Sequence, residues 1–195
     1  MERPFCSALA GARRGIERCQ GFTLIEMLVV FAISAILLTL AVPSMRSLID
    51  RNGVANSVNA LMSTLSFARA EAMKRGMVVS VCRSADVDTA AMPSCSAGSD
   101  WASGWIVFAD LNADGAFDAN GGDMLLRSQG TLARSGSITQ NLNVDLQFLP
   151  TGLMRTGASN FLFRPGTGGS TFMRLICLGI VGRARLVNDT ASCST

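Results

Sequence analysis

Three stretches of this 195-residue chain carry residue types at spacings that could do chemistry. The first is a single carboxylate, Glu26, at the mouth of an apolar run that meets no further charge until Arg46. A charge in such a segment is costly and marks function. The second is Asp110-Leu-Asn112-Ala-Asp114-Gly115-Ala-Phe-Asp118, which copies positions 1, 3, 5, 6 and 9 of a calcium-binding loop. Its twelfth position is Gly121 instead of Glu, and Asp123 comes two places late. The same Asx and Gly residues build a hairpin turn without any ion, and that is the simpler reading. The third is Gly182-Arg183-Ala184-Arg185. On a strand, alternate residues share a face, so the two guanidiniums would project together, about 7 Å apart. That spacing suits successive phosphates, which Arg grips bidentately. Arg174, on the neighbouring candidate strand, would widen the patch, and Gly182 would let a nucleic acid backbone come close. No exposed aromatics are interleaved, so the chemistry would be weak, salt-dependent and non-specific. The alternative is a solvated edge strand whose charges block edge pairing.

What is missing narrows the function. The chain has no His and no Tyr. That removes the commonest general base, the Ser-His and Cys-His nucleophile pairs, and His-containing zinc sites. No cofactor is implied, and an enzyme is not expected. Of six cysteines, Cys6 and Cys19 precede the apolar run and Cys82, Cys95, Cys177 and Cys193 follow it, with no C-x-x-C. An even set beyond a membrane points to disulfides in an oxidising compartment. Three connectivities are open, and the local one, Cys82–Cys95 with Cys177–Cys193, closes two short loops; four buried free thiols are the alternative.

These groups need elements to hold them. Residues 27–45 are free of charge, close to the roughly 20 apolar residues that span a bilayer as a helix. Arg3, Arg13, Arg14 and Arg18 precede them, which orients the N-terminus inward. A secretory signal peptide competes, but the apolar core is longer than such signals carry and its end has no A-x-A site. Beyond it Val54, Val58, Leu61, Leu65, Ala68 and Ala72 recur at helical period, and Gly76 follows Lys74 and Arg75 as a C-terminal stop. The pattern predicts one helix from Thr23 to Arg75, about 80 Å long, with a kink at Pro43. Thr23-Leu-Ile-Glu26 fits a capping box at its start. From Met77 the texture turns to β-rich runs at Met77–Arg83, Trp105–Ala109, Met124–Arg127, Val144–Leu149, Asn160–Arg164, Phe172–Leu178 and Ile180–Val187. Loops are expected at 84–103 and 110–123. Charge is uneven too. Residues 86–123 hold seven Asp and no Lys or Arg, whereas 127–195 hold seven Arg against Asp145 and Asp189. Such asymmetry suits either an anionic partner at the C-terminal end or a plain solvated surface.

The hexapeptide Gly21-Phe22-Thr23-Leu24-Ile25-Glu26, with a basic leader before it and an apolar span after it, resembles the type IV prepilin signature of pilins and type II secretion pseudopilins. The stretches at 65–82, 101–115 and 181–187 are similar to GspH/FimT-type minor pilins and pseudopilins. The resemblance implies an α+β pilin fold, a long N-terminal helix packed on an antiparallel β-sandwich-like head. It implies a leader over 1–21, cut between Gly21 and Phe22 by a prepilin peptidase that N-methylates Phe22. A transmembrane or filament-core helix would follow over 22–45, an amphipathic half over 46–76 and a periplasmic head over 77–195. Glu26 would then pair with the terminal amine of a neighbouring subunit during assembly. The implied partners are other pilins or pseudopilins, the peptidase and an inner-membrane assembly platform. The protein would be single-pass in a bacterial inner membrane, N-terminus cytoplasmic. In DNA-uptake members of the group a G-R-x-R motif is implicated in binding double-stranded DNA, which adds to the reading of Arg183 and Arg185.

Overall fold

The computed structural model describes residues 22–132, 136–166, 172–187 and 193, with the side chains of 40–44 outside the description. Two compact units divide between Pro43 and Ser44. One helix, α1 (Leu24–Arg75), contributes to both. It starts where Thr23 Oγ1 accepts the Glu26 backbone N–H at 3.3 Å. It stops at Gly76, whose φ of +68° is open to glycine and whose N–H closes on Ala72 O at 3.0 Å. Helix α1 continues through Pro43, where the sequence leads one to expect a kink.

In the first unit, the side chains from Phe22 to Thr39 are exposed. The hydroxyls of Ser34 and Thr39 bond within the helix: Ser34 Oγ donates to Val30 O and Thr39 Oγ1 to Ile36 O, both at 2.7 Å. Among the described residues no helix is long and apolar enough to cross a membrane.

In the second unit the helical stripe forms one wall of the core. Val54, Val58, Leu61, Leu65, Ala68 and Ala72 are all buried, as their period requires. Eight strands follow: β1 (Val79–Arg83), β2 (Trp105–Ala109), β3 (Met124–Gln129), β4 (Ser137–Gln140), β5 (Leu146–Phe148), β6 (Ser159–Arg164), β7 (Arg174–Leu178) and β8 (Ala184–Val187). They form two four-stranded sheets, ordered β3-β2-β1-β5 and β4-β6-β7-β8, and every pairing within them is antiparallel. Strand alternation sorts the side chains. Val79, Val81, Trp105 and Val107 of the first sheet join Phe161, Phe163, Ile176 and Leu178 of the second and the helix stripe in one core. The other face of the first sheet, with Cys82, Ile106 and Phe108, is covered by Val87, Cys95 and Phe117 from the loops.

Two indoles tie these layers together without leaving a buried N–H unpaired. Trp105 Nε1 donates to Thr64 Oγ1 at 3.1 Å, and that hydroxyl donates back to Ala60 O of α1 at 2.9 Å. Trp101, in a single 3₁₀ turn (Trp101–Ser103), donates to Gln140 Oε1 at 3.1 Å and meets Phe161 edge-on at 5.2 Å. Sequence reading did not foresee β4, a short strand of Ser-Ile-Thr-Gln with one apolar side chain, Ile138, to signal it.

The core stripe makes a direct prediction. Leu61 is fully buried, so Leu61→Ala should lower unfolding stability by about 2–5 kcal/mol. Urea unfolding of the full chain in detergent, followed by tryptophan fluorescence, reads this. The exposed change Met73→Ala should cost far less.

Candidate functional site

The N-terminal motif is built by the helix start. Thr23 caps it, but the reciprocal half of a capping box, from the Thr23 N–H to the Glu26 carboxylate, is absent among the described residues. Glu26 is exposed and its carboxylate has no hydrogen bond or ion pair among them. Phe22 is 79% exposed beside it. Gly21 and the residues before it lie outside the description.

The C-terminal motif sits on a tight hairpin between β7 and β8. Gly182 N–H donates to Gly179 O at 2.8 Å and Gly179 N–H to Arg183 O at 3.1 Å. Gly182 has φ +70°. This is the geometry of a turn followed by a left-handed bulge residue. Arg185 stands opposite Cys177, so it shares the face of the second sheet that points away from the core. Arg183, two residues earlier, lines the same shallow groove of about 490 Å3 with Asn160, Cys177 and Cys193. Both guanidiniums are exposed and, among the described residues, neither has a hydrogen-bond or ion-pair partner.

Two expectations for this patch need correction. Arg174 does not widen it. Arg174 pairs with Phe163 and alternates with Ile176 and Leu178, which puts it on the core-facing side of the sheet, at the end of β7. There its Nη1 donates to Met173 O at 2.9 Å. Gly182 is not an opening for a nucleic acid backbone. It is buried, and a Cβ there would lie 2.2 Å from Gly152 O. Its missing side chain admits the chain's own neighbouring turn, which Arg69 Nε also holds through Gly152 O at 3.0 Å.

The four described cysteines pair locally. Cys82 bonds Cys95 with Cα atoms 5.5 Å apart, and Cys177 bonds Cys193 at 5.7 Å. The first pins the 84–103 loop at its base. Within that loop Ser84 and Ser94 hydroxyls and the Ser94 N–H donate to Asp86. Those bonds, led by the one from Ser84, hold its carboxyl below the usual range.

The acidic loop is a set of Asx turns. Asp114 Oδ1 accepts the Ala116 N–H, Asn112 Oδ1 accepts the Asp114 N–H, and Asp118 Oδ1 accepts the Asn120 N–H. Asp123 straps both ends, accepting Leu111 N–H on one oxygen and Asp118 N–H on the other, each at 2.9 Å. No three acidic, Cys or His side chains among the described residues are grouped to hold a metal. Sequence reasoning missed the strapping role of Asp123. It also missed Ser80 and Gln147, which reach Asp110 from β1 and β5 at 2.7 and 3.5 Å. Pairings so distant in the chain leave no local signal.

A long N-terminal helix whose second half packs on two antiparallel sheets is the pilin fold. Two crystal structures of the type IV minor pilin FimU from Pseudomonas aeruginosa have this fold. The first, in space group P21, is 18% identical with a TM-score of 0.54, over 70% of this chain and 90% of that one. The second, in P65, is 18% identical with a TM-score of 0.51, over 68% and 91%. Residues 57–182 match the family model of the type II transport protein GspH, and residues 17–42 match the prokaryotic N-terminal methylation motif. The chain belongs to the GspH family, whose members are pilin-like structural proteins and not enzymes. No curated protein matches it significantly.

The packing of Gly182 predicts that Gly182→Ala lowers the thermal midpoint of the head by several degrees, from the clash with Gly152 O and the left-handed φ together. Arg183→Ala, at an exposed side chain, should leave the midpoint within about a degree. Circular dichroism melts of the two variants check this.

Proposed function

We propose that this chain is a minor pilin or pseudopilin made as a prepilin. A peptidase removes residues 1–21 and methylates Phe22, and the apolar half of α1 then packs among sibling helices, after anchorage in the inner membrane with the head outside. Glu26 carries this reading. Its carboxylate stands uncommitted at the head of a helix whose other side chains there are apolar or internally bonded. A new terminal amine on a neighbouring subunit would pair with it, where a lone carboxylate among apolar helices would be strongly unfavourable. The match to the methylation motif supports the same end of the chain.

The test separates processing from assembly. Glu26→Ala should still be trimmed by a co-expressed prepilin peptidase but should be depleted from sheared filaments at least tenfold. Filament incorporation equal to wild type would contradict the role given to Glu26.

A second reading is that the head binds double-stranded DNA without sequence preference. Its support is that Arg183 and Arg185 share one outward face and neither is paired among the described residues. The binding would be weak and would fall steeply with salt. Gel shifts of the full chain in detergent with random duplex at low salt test it. Binding should drop at least fivefold in the Arg183→Ala/Arg185→Ala variant, and Arg174→Ala should match wild type. Equal binding by the double variant would remove the motif from consideration.

A further inference from the structure

One end of the head gathers apolar side chains that no described residue covers. Two turns press together there: Gly182 packs on Gly152 O, and Met154 N–H donates to Ile180 O at 2.8 Å. The last turns of α1 lie against the first of them, since a Cβ on Gly152 would come within 2.9 Å of Met73 Sδ. Three segments distant in sequence thus bring Met73, Leu153, Ile180 and Val181 to one surface, each 45–62% exposed. A grouped apolar surface of this kind marks an interaction site. Two arginines border it. Arg155 follows Leu153 by two residues, and Arg183 lines the outer groove together with Val181. Both are exposed, and neither meets a carboxylate among the described residues. Arg155 Nη1 donates to Ala113 O at 3.0 Å instead.

The opposite end of the head offers the complement. Phe148 pairs with Val79 and bridges Met154, so the apolar surface lies at the Val79 end of β1. The loop that follows Arg83 leaves from the other end. Its part from Asp86 to Ser94 is compact: the Asp86 carboxylate accepts Ser94 N–H at 3.0 Å, and Asp86 O accepts Ala90 N–H at 2.8 Å. The Cys82–Cys95 bond closes it at the base. Met92 stands 57% exposed on this loop. The Thr131 hydroxyl and N–H hold the Asp88 carboxyl below the usual range, as the Ser84 and Ser94 bonds do for Asp86. Both acids stay ionised, and neither has an ion pair among the described residues.

We propose that the Asp86–Ser94 loop of a second copy of this chain docks on the apolar surface, with Met92 among Leu153, Ile180 and Val181 and the two acids facing Arg155 and Arg183. The inference rests on the assembly reading above, in which neighbouring heads share one orientation. Charge complementarity selects the occupant: an apolar centre bordered by two arginines meets an apolar side chain beside two carboxylates. The loop is already ordered by its own bonds, so little freedom is lost on docking. Because the two surfaces lie at opposite ends, one head cannot satisfy itself. A contact between unlike surfaces generates a ring or an open helical row, not a two-fold pair. Exposed ion pairs are each worth little, so the apolar contact supplies most of the attraction and the charges set register.

The experiment uses the full, uncleaved chain in detergent at low salt. One tagged copy carries a photoreactive benzophenone amino acid in place of Val181, a second copy carries a different tag, and the mixture is illuminated. The expected product joins the two tags, and mass spectrometry maps it to residues 86–94 of the second copy. Its yield should fall by about fivefold or more in Arg183→Asp and in Asp88→Arg. It should also fall at high salt, where the Debye length is only about 3 Å. Chains carrying both changes should recover about half of the wild-type yield or more. Since the two positions lie at opposite ends of one head, only contact between copies permits that rescue. If Asp88→Arg disturbs the fold, Arg183→Asp decides, because that side chain is exposed. No product, a product mapped elsewhere, an unchanged yield in Arg183→Asp, or preferential capture of a different protein when the same chain is illuminated in cells overturns the proposal. The peptidase plays no part in this test, so a chain that docks but is never trimmed contradicts the prepilin route alone.

Discussion

The rest of this chain answers to one constraint, an apolar helical segment whose described side chains stand exposed. From Phe22 to Leu38 the large side chains stand 46–79% exposed. A contiguous apolar surface of that kind is unstable in water and marks an interaction surface. The backbone of that segment is satisfied inside the helix, and Ser34 and Thr39 turn their hydroxyls onto helix carbonyls. An apolar environment therefore asks nothing of the segment except at Glu26, where a carboxylate needs a positive partner. The proposed prepilin route answers both needs, since cleavage before Phe22 creates an amine and assembly brings neighbouring helices together.

The same helix is also the organising wall of the head. Leu61, Leu65, Ala68 and Ala72 present small and branched side chains to two sheets, and Trp105 bonds back to Thr64 across that contact. Buried tryptophans with paired N–H groups give large apolar area and fixed registry together. Because the core is closed by helix and sheets, the loops over the first sheet are free to differ, held by Cys82–Cys95 and by the Asp123 strap. The outward face of the second sheet is likewise free to carry Arg183 and Arg185.

Much of this is legible in the sequence. Six stripe positions at helical period stated the buried face of α1, because helix contacts are local and their period is fixed. Seven of the eight described strands overlap the β-rich runs read from the sequence, and β4 alone does not. What escaped were facts of pairing. Arg174 and Arg185 read as one patch until the register set Arg185 opposite Cys177 and Arg174 opposite Phe163, two different faces of one sheet. Gly182 read as an open approach until the turn at Gly152 was seen against it. The Asp110 loop read as a turn or a calcium site, and its sequence could not show that Ser80 and Gln147 load one oxygen and leave the other bare.

On the proposed prepilin route, Phe22 becomes the first residue of the working protein. Mass spectrometry of the chain recovered from membranes of cells with an active prepilin peptidase tests it most directly. The expected N-terminal peptide begins at N-methyl-Phe22, and it should be lost, with the leader retained, in Gly21→Val. An intact leader in the wild-type chain, or a new N-terminus elsewhere, would contradict it.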